Sequence, residues 1–280
     1  MVLTNELVAP VVKWVGGKRQ LLEQIVPLLP SHFTCYCEPF VGGAALLLAQ
    51  QPAQAIINDI NNDLIAVYEV IRDSVDELIA ALKQHKNTSE YYYALRRLDR
   101  DHAKYQAMSP LERASRLIYL NKTCYNGLYR VNAAGEFNAA FGNYKHPNIV
   151  NEEGLRAVSR YFNANDITIC NEDFAQTLAR VPEGGFVYLD PPYVPVSATA
   201  KFTNYNKSGF DHQEQQRLKR CCDELNARGI KFLLSNSDTD VVKELYQDYE
   251  IKTVAAKRSI NSNSAKRGAV PEVLIRNYCD

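Results

Sequence analysis

Hydrophobic residues along this chain fall into two rhythms, short apolar runs and longer stretches of helical spacing. Short β-favouring runs stand around Cys35 to Cys37 and at Ala55 to Asn58, Ile167 to Cys170, Phe186 to Leu189, Ile230 to Leu234, Ile251 to Ala255 and Val273 to Tyr278. Each has the length of a buried strand. Between several of them, apolar positions recur three and four residues apart, as at Leu21, Leu22, Ile25 and Val26, or across Ala45 to Gln50, Leu218 to Leu225 and Val241 to Tyr246. The alternation predicts an α/β domain with helices on both faces of its sheet. One block breaks it: through Leu64, Val67, Ile71, Leu78, Ile79, Leu82, Tyr92, Leu95, Leu98, Leu111, Leu117 and Ile118 the period stays helical, and no strand is needed. A helical block after only two strands reads as an insertion, dividing the chain into residues 1–61 with 151–280 and an inserted domain, 62–150.

Candidate chemistry gathers at the strand ends. Phe186-Val187-Tyr188-Leu189-Asp190-Pro191-Pro192-Tyr193 sets a carboxylate at the carboxyl end of a strand, where open α/β sheets place their ligands. The two prolines fix φ and bar both helix and ladder pairing, so Tyr193 is held at a set distance beyond Asp190. Glu38-Pro39-Phe40-Val41-Gly42-Gly43-Ala44 places a glycine turn between a strand and a helix, a layout that lets a nucleotide-like ligand lie against backbone. Asp59 ends the next strand; it could accept from two ribose hydroxyls, or cap the helix that begins near Asn62. Trp14 and Lys18 flank Gly16-Gly17 and offer a flat apolar face and a cation, without the spacing of a P-loop. Asp173 with Phe174 is another acid and aromatic just past a strand, and Asp211 suits the N-cap of the helix that follows it.

The inserted block ends in Tyr125-Asn126-Gly127-Leu128-Tyr129-Arg130, then a hairpin-like turn at Ala133 to Glu136 and Phe137-Asn138. Basic residues outnumber acidic ones from Arg113 to Lys145, interleaved with Tyr and Asn. Amides, arginines and aromatics are the tools of base reading and stacking, and they are equally the makings of a solvated loop with Tyr129 and Phe137 covering the core. Lys257 to Gly268 is a polar, basic loop suited to phosphates.

Composition narrows the class. The 280 residues are 46% hydrophobic and 23% charged, with 32 basic and 32 acidic side chains; this argues against a protein coated in basic surface but allows a basic groove. Seven cysteines without a Cys-x-x-Cys, and five histidines away from them, give no metal-ligand spacing and read as reduced thiols. With no apolar run of bilayer length and no signal-peptide pattern, a soluble, cytoplasmic protein is expected.

Lys13-Trp14-Val15-Gly16-Gly17-Lys18, Glu38-Pro39-Phe40-Val41-Gly42-Gly43, Asn58-Asp59-Ile60-Asn61, Asn126-Gly127-Leu128-Tyr129-Arg130, Asp190-Pro191-Pro192-Tyr193 and Arg258-Ser259-Ile260 stand in one order spanning nearly the whole chain. The set resembles the Dam family of DNA adenine-N6 methyltransferases. The resemblance implies a Rossmann-like methyltransferase sheet carrying a mainly helical DNA-recognition insertion with a hairpin. It implies S-adenosylmethionine as cofactor, no metal, and an enzyme that flips and methylates adenine in double-stranded DNA, within GATC; a monomer acting on one strand at a time is the simplest expectation. Catalysis then falls to Asp190, Pro191, Pro192 and Tyr193, and cofactor binding to Trp14, Lys18, Phe40, Gly42, Asp59, Asp173 and Asp190. DNA contacts fall to Lys13, Tyr125, Asn126, Leu128, Arg130, Asn138 and Arg258. Two positions depart from the family: Ala44 replaces a third glycine, and Ala140 a proline that touches a base of the site. Rival readings are a methyltransferase of cytosine N4 or a glutamine amide, and a DNA-binding protein with a dead catalytic site; Asp190 and the matching insertion weigh against the first, and the intact Asp-Pro-Pro-Tyr against the second.

Overall fold

The computed structural model describes residues 5–195, 210–257 and 269–279. Arg258 and the rest of the basic loop after Lys257 lie outside the described residues. The strands are β1 Tyr36–Glu38, β2 Gln54–Asn58, β3 Asp166–Cys170, β4 Phe186–Leu189, β5 Lys231–Ser237, β6 Glu250–Lys257 and β7 Ala269–Arg276. The helices are α1 Leu22–Ile25, α2 Ala45–Gln50, α3 Asn62–Asp73, α4 Val75–Lys83, α5 Ser89–Arg96, α6 His102–Ala107, α7 Pro110–Thr123, α8 Glu152–Ala164, α9 Phe174–Ala179, α10 His212–Ala227 and α11 Asp240–Leu245.

One seven-stranded sheet runs in the order β3-β2-β1-β4-β5-β7-β6. β4 pairs parallel with both β1 and β5, and all four of its residues are buried; an uninterrupted apolar strand is what a sheet covered on both faces demands. Strand order reverses between β1 and β4, and at such a switch point the crevice beyond the strand ends receives ligands. Phe40 follows β1 there and Asp190 follows β4. β7 pairs antiparallel with β5 and β6.

The chain divides into two compact units, one of Met1–Gly17, Gly42–Ala53 and Asp59–Asn171, the other of Lys18–Val41, Gln54–Asn58 and Glu172–Asp280. The second has its core where Cys37, Val187 and Leu189 meet Leu218, Phe232 and Ile275. The first holds the helical block α3 to α7, strand-free as the periodicity predicts, together with α8. α7 starts from a full capping box, with Ser109 and Glu112 exchanging side-chain bonds around Pro110 at the first turn. Its last turns bury Tyr119 and Leu120 beside Tyr92, Cys124 and Phe137, which fixes the start of the segment that follows. The expected hairpin is present as a bridge between Val131 and Phe137. Asp211 caps α10 by accepting from the backbone N–H groups of Gln213 and Glu214.

One boundary and one element differ from the sequence expectation. β5 continues past Leu234 through Ser235-Asn236-Ser237, because the antiparallel pairing of Ser237 with Glu272 extends the ladder through polar residues. α8 was not expected as an element, although Leu155, Val158 and Phe162 sit at helical spacing and are buried. Among the described residues no helix is long and apolar enough to cross a membrane, and no group of His, Cys, Asp and Glu is arranged to hold a metal.

Candidate active site and recognition segment

In the second unit the Asp-Pro-Pro-Tyr tip is held by its neighbours. Asp190 Oδ1 lies 2.7 Å from Lys18 Nζ, and Lys18 is only 5% exposed. The same ammonium stands over the Tyr193 ring, 4.8 Å from its centroid, and the Tyr193 hydroxyl donates to Glu272 Oε2 at 2.8 Å. Burial pushes the Asp190 carboxyl above the usual carboxylate range, and the Lys18 charge works against that rise. The backbone is clamped too. Gln215 Nε2 donates to the Pro192 carbonyl at 2.8 Å, Asn236 Oδ1 accepts from the Val194 N–H at 3.1 Å, and Ser237 Oγ donates to the Val194 carbonyl at 2.7 Å. Among the described residues no donor reaches the Pro191 carbonyl.

Phe40 packs with Phe174 and Phe210, ring centroids 5.3 and 5.7 Å away. Asp173 is occupied twice: it caps α9 through the Ala175 N–H at 2.9 Å and pairs with Arg217, which holds its carboxyl below the usual range. Asn58, 1% exposed, donates to the carbonyls of Pro39 and Glu172 and accepts from the Glu172 N–H. It locks the turn after β1 to the segment preceding Asp173.

In the first unit a second group forms around Gly42. Its φ of +45° and its closeness to Trp14, whose Cδ1 would be 2.8 Å from an added Cβ, leave room only for glycine. The Gly42 N–H donates to Asp59 Oδ2 at 3.1 Å and the Asn61 N–H to Asp59 Oδ1 at 2.9 Å. The cap of α3 is Asn61, whose side chain accepts from the Leu64 N–H, so the capping role is not Asp59's. Burial raises the Asp59 carboxyl, and the two backbone donors offset part of the rise. Ile60 beside it is 78% exposed.

The recognition segment belongs to this unit as well. Asn121, 1% exposed, accepts from the Lys13 N–H and donates to the carbonyls of Lys13 and Gly127, and the Lys13 side chain packs against Gly127. Tyr125 is 63% exposed; its N–H is fixed to the Ala140 carbonyl at 2.8 Å. Asn126 takes a left-handed φ of 59°, and its N–H donates to the Tyr144 hydroxyl. Leu128 is half-buried. Arg130 is exposed and bonds Asn138 twice, Nε to Oδ1 at 2.6 Å and Nη2 to the backbone carbonyl at 3.1 Å. The hairpin is anchored from below: Asp99 accepts from the Phe137 N–H at 2.8 Å and pairs with Arg116.

Sequence reading missed Glu272, Gln215, Asn236, Asn58 and Asn121. Polar residues at the ends of strands and inside apolar helical faces were their only signal.

The fold is α/β, with a clamped carboxylate and an aromatic ring beyond its central strand. Comparison with known proteins is specific. A family model described as D12 class N6 adenine-specific DNA methyltransferase matches residues 14–260. The chain is 42% identical to the Type II methyltransferase M1.LlaDCHI of Lactococcus lactis subsp. cremoris, covering 96% of this chain and 95% of that one. It is 40% identical to the Type II methyltransferase M.MjaIII of Methanocaldococcus jannaschii, over 97% and 99%, and 38% identical to the DNA adenine methylase of Escherichia coli, over 94% and 92%. The chain belongs to the D12 class of N6 adenine-specific DNA methyltransferases, and is an enzyme of that class.

Proposed function

We propose that this enzyme uses S-adenosylmethionine to methylate the N6 amine of an adenine flipped out of double-stranded DNA, within GATC. The observation that carries the reading is the pair of acceptors at the tip: the Asp190 carboxylate and the Pro191 carbonyl, the latter without a donor among the described residues while its neighbour Pro192 is taken by Gln215. An adenine amine is a poor nucleophile because its lone pair is delocalised into the ring. Two acceptors for its N–H groups draw that density back to nitrogen. Tyr193 stacks on the base, and the rigid tip supplies orientation.

The residues fit the cofactor. Gly42 has no side chain to block backbone approach, Asp59 keeps a carboxylate held by two N–H groups for ribose hydroxyls, and Trp14 offers a flat face. Lys18, Phe40, Asp173 and Asp190 complete the set; Asp173 joins it by fixing the start of α9. Bound S-adenosylmethionine supplies the methyl group as a sulfonium whose charge is lost on transfer.

Residues 62–150 serve as the target-recognition domain, and the rest as the catalytic domain. Unstacking the adenine costs a few kcal/mol; exposed Tyr125 fills the vacated stack and Asn126 faces the orphaned partner base. Leu128, Arg130 and Asn138 read the outer bases on one side and Lys13 the other end, with Arg258 on phosphate.

The test is plasmid DNA treated with the enzyme, challenged with methylation-sensitive endonucleases of different sites and digested for mass spectrometry. Protection at GATC with N6-methyladenine is expected. N4-methylcytosine without methyladenine would sink the assignment.

A further inference from the structure

Tyr129 lies between Leu128 and Arg130, the proposed base readers, yet its own side chain is engaged elsewhere. Its ring is stacked on Trp14, with centroids 4.4 Å apart and planes inclined by 22°. Its hydroxyl accepts from Asn61 Nδ2 at 3.0 Å. The Asn61 N–H donates to Asp59 and the Gly42 N–H to the other oxygen of the same carboxylate, while Gly42 lies against the Trp14 ring. The contacts close into a ring: Trp14, Tyr129, Asn61, Asp59, Gly42 and Trp14 again. From the hairpin, Phe137 packs edge-on against Tyr129, centroids 5.7 Å apart.

We infer that Tyr129 is a positioning residue that couples target reading to cofactor binding, so that engaging the correct duplex changes the affinity for the cofactor. This rests on the reading of Trp14 and Asp59 as cofactor residues. Consecutive Cα atoms are fixed about 3.8 Å apart, so a backbone shift that brings Leu128 or Arg130 onto a base edge carries Tyr129 with it. That residue is pinned by a stacked ring and a hydrogen bond, so its displacement either moves Trp14 or strains the Asn61 bond beside Asp59. Burial pushes the phenol up to about 12, which keeps the hydroxyl neutral and able to accept at working pH. Linkage makes the effect reciprocal: bound cofactor must change the affinity for the target by the same factor.

The experiment measures S-adenosylhomocysteine binding to the full chain by calorimetry, with no DNA, with a methylated GATC duplex and with a scrambled duplex. In the unaltered enzyme the affinities with the GATC and scrambled duplexes should differ by roughly 5-fold or more, the lower end of ordinary allosteric coupling. In Tyr129→Leu that ratio should fall to near one, while Tyr129→Phe, which keeps the stacked ring, should retain most of it. Circular dichroism confirms that each variant is folded; if Tyr129→Leu is not, the ratio in Tyr129→Met, which also removes the stacked ring, decides in its place. A ratio unchanged in the ring-altered variant, or a ratio of one in the unaltered enzyme, overturns the coupling. Failure of the unaltered enzyme to bind S-adenosylhomocysteine, or undiminished binding in Trp14→Ala, would instead overturn the cofactor reading beneath it.

Discussion

At the Asp190 tip the working side chains are turned inward, with Lys18 on the carboxylate and Glu272 on the Tyr193 hydroxyl, whereas along the recognition segment Tyr125, Asn126 and Arg130 stand exposed. The backbones of the two regions are nevertheless held alike. Buried amides reach into the chain at both places, Gln215 and Asn236 at the tip, Asn121 at the segment. An amide can donate and accept at once, so a single buried side chain satisfies two loop groups that neither strand nor helix would pair. The difference lies in what is left over. On the proposed function, the tip keeps acceptors in fixed directions for one amine, and the segment keeps exposed side chains for DNA.

The sharpest break of that comparison is Asp190→Ala. Removing a preorganised acceptor should cost on the order of 10² to 10³ in methyl transfer while target binding, measured by filter retention, stays largely in place. Turnover at the normal rate would take Asp190 out of the mechanism.

Lys18→Met separates charge from position. Burial raises the Asp190 carboxyl and Lys18 lowers it again, so loss of the ammonium should raise it further. The carboxylate works ionised, so the acid limb of the kcat/KM profile should move to higher pH in this variant and activity should recover in alkaline buffer. A limb that stays put, or moves to lower pH, would deny the ion pair its electrostatic role.

Arg130→Ala acts on the exposed region, and the loss should fall on discrimination. A bidentate guanine contact is worth about 1–3 kcal/mol at one base pair, so the gap between matched duplex and single outer mismatch should narrow by that amount. Equal weakening on every duplex would show a phosphate contact instead. Gln215→Leu removes the bond from Gln215 Nε2 to the Pro192 carbonyl and the one from Asn236 Nδ2 to Gln215 Oε1, at about 1–3 kcal/mol of stability. It should lower kcat more than it raises KM, since the tip is displaced but not removed; a purely thermal effect with normal kcat would make Gln215 a packing residue alone.

Much of the molecule was legible beforehand. Apolar runs such as Phe186 to Leu189 mark strands covered on both faces, and the unbroken helical period after Leu64 marks α3 to α7, because burial imposes those periods directly. Capping was legible at Asp211 and ambiguous at Asp59, where two polar residues stand close enough to a helix start for either to serve; only the Asn61 to Leu64 bond resolves it. The clamps were not legible. Asn58, Asn121, Gln215 and Glu272 act on groups remote in sequence, such as Pro39, Lys13, Pro192 and Tyr193, and no local pattern encodes a partner 19 or more residues away.

Ala44→Gly tests the smallest effect, at the position where the family's third glycine is missing. Ala44 sits at φ 54° and ψ 34°, the left-handed region, which costs an L-residue with a Cβ about 1–2 kcal/mol. The residue is fully buried, so deleting its methyl forfeits about 0.8 kcal/mol, and glycine's greater freedom in the unfolded chain costs about another 0.4–1 kcal/mol. These terms nearly cancel, and the midpoint of denaturant unfolding should shift by less than about 0.5 kcal/mol in free energy. Cofactor binding should not change, because the close approach belongs to Gly42, where a Cβ would press on Trp14. A clear gain in cofactor affinity from Ala44→Gly would instead mean that the turn as it stands is held away from its best geometry by the alanine.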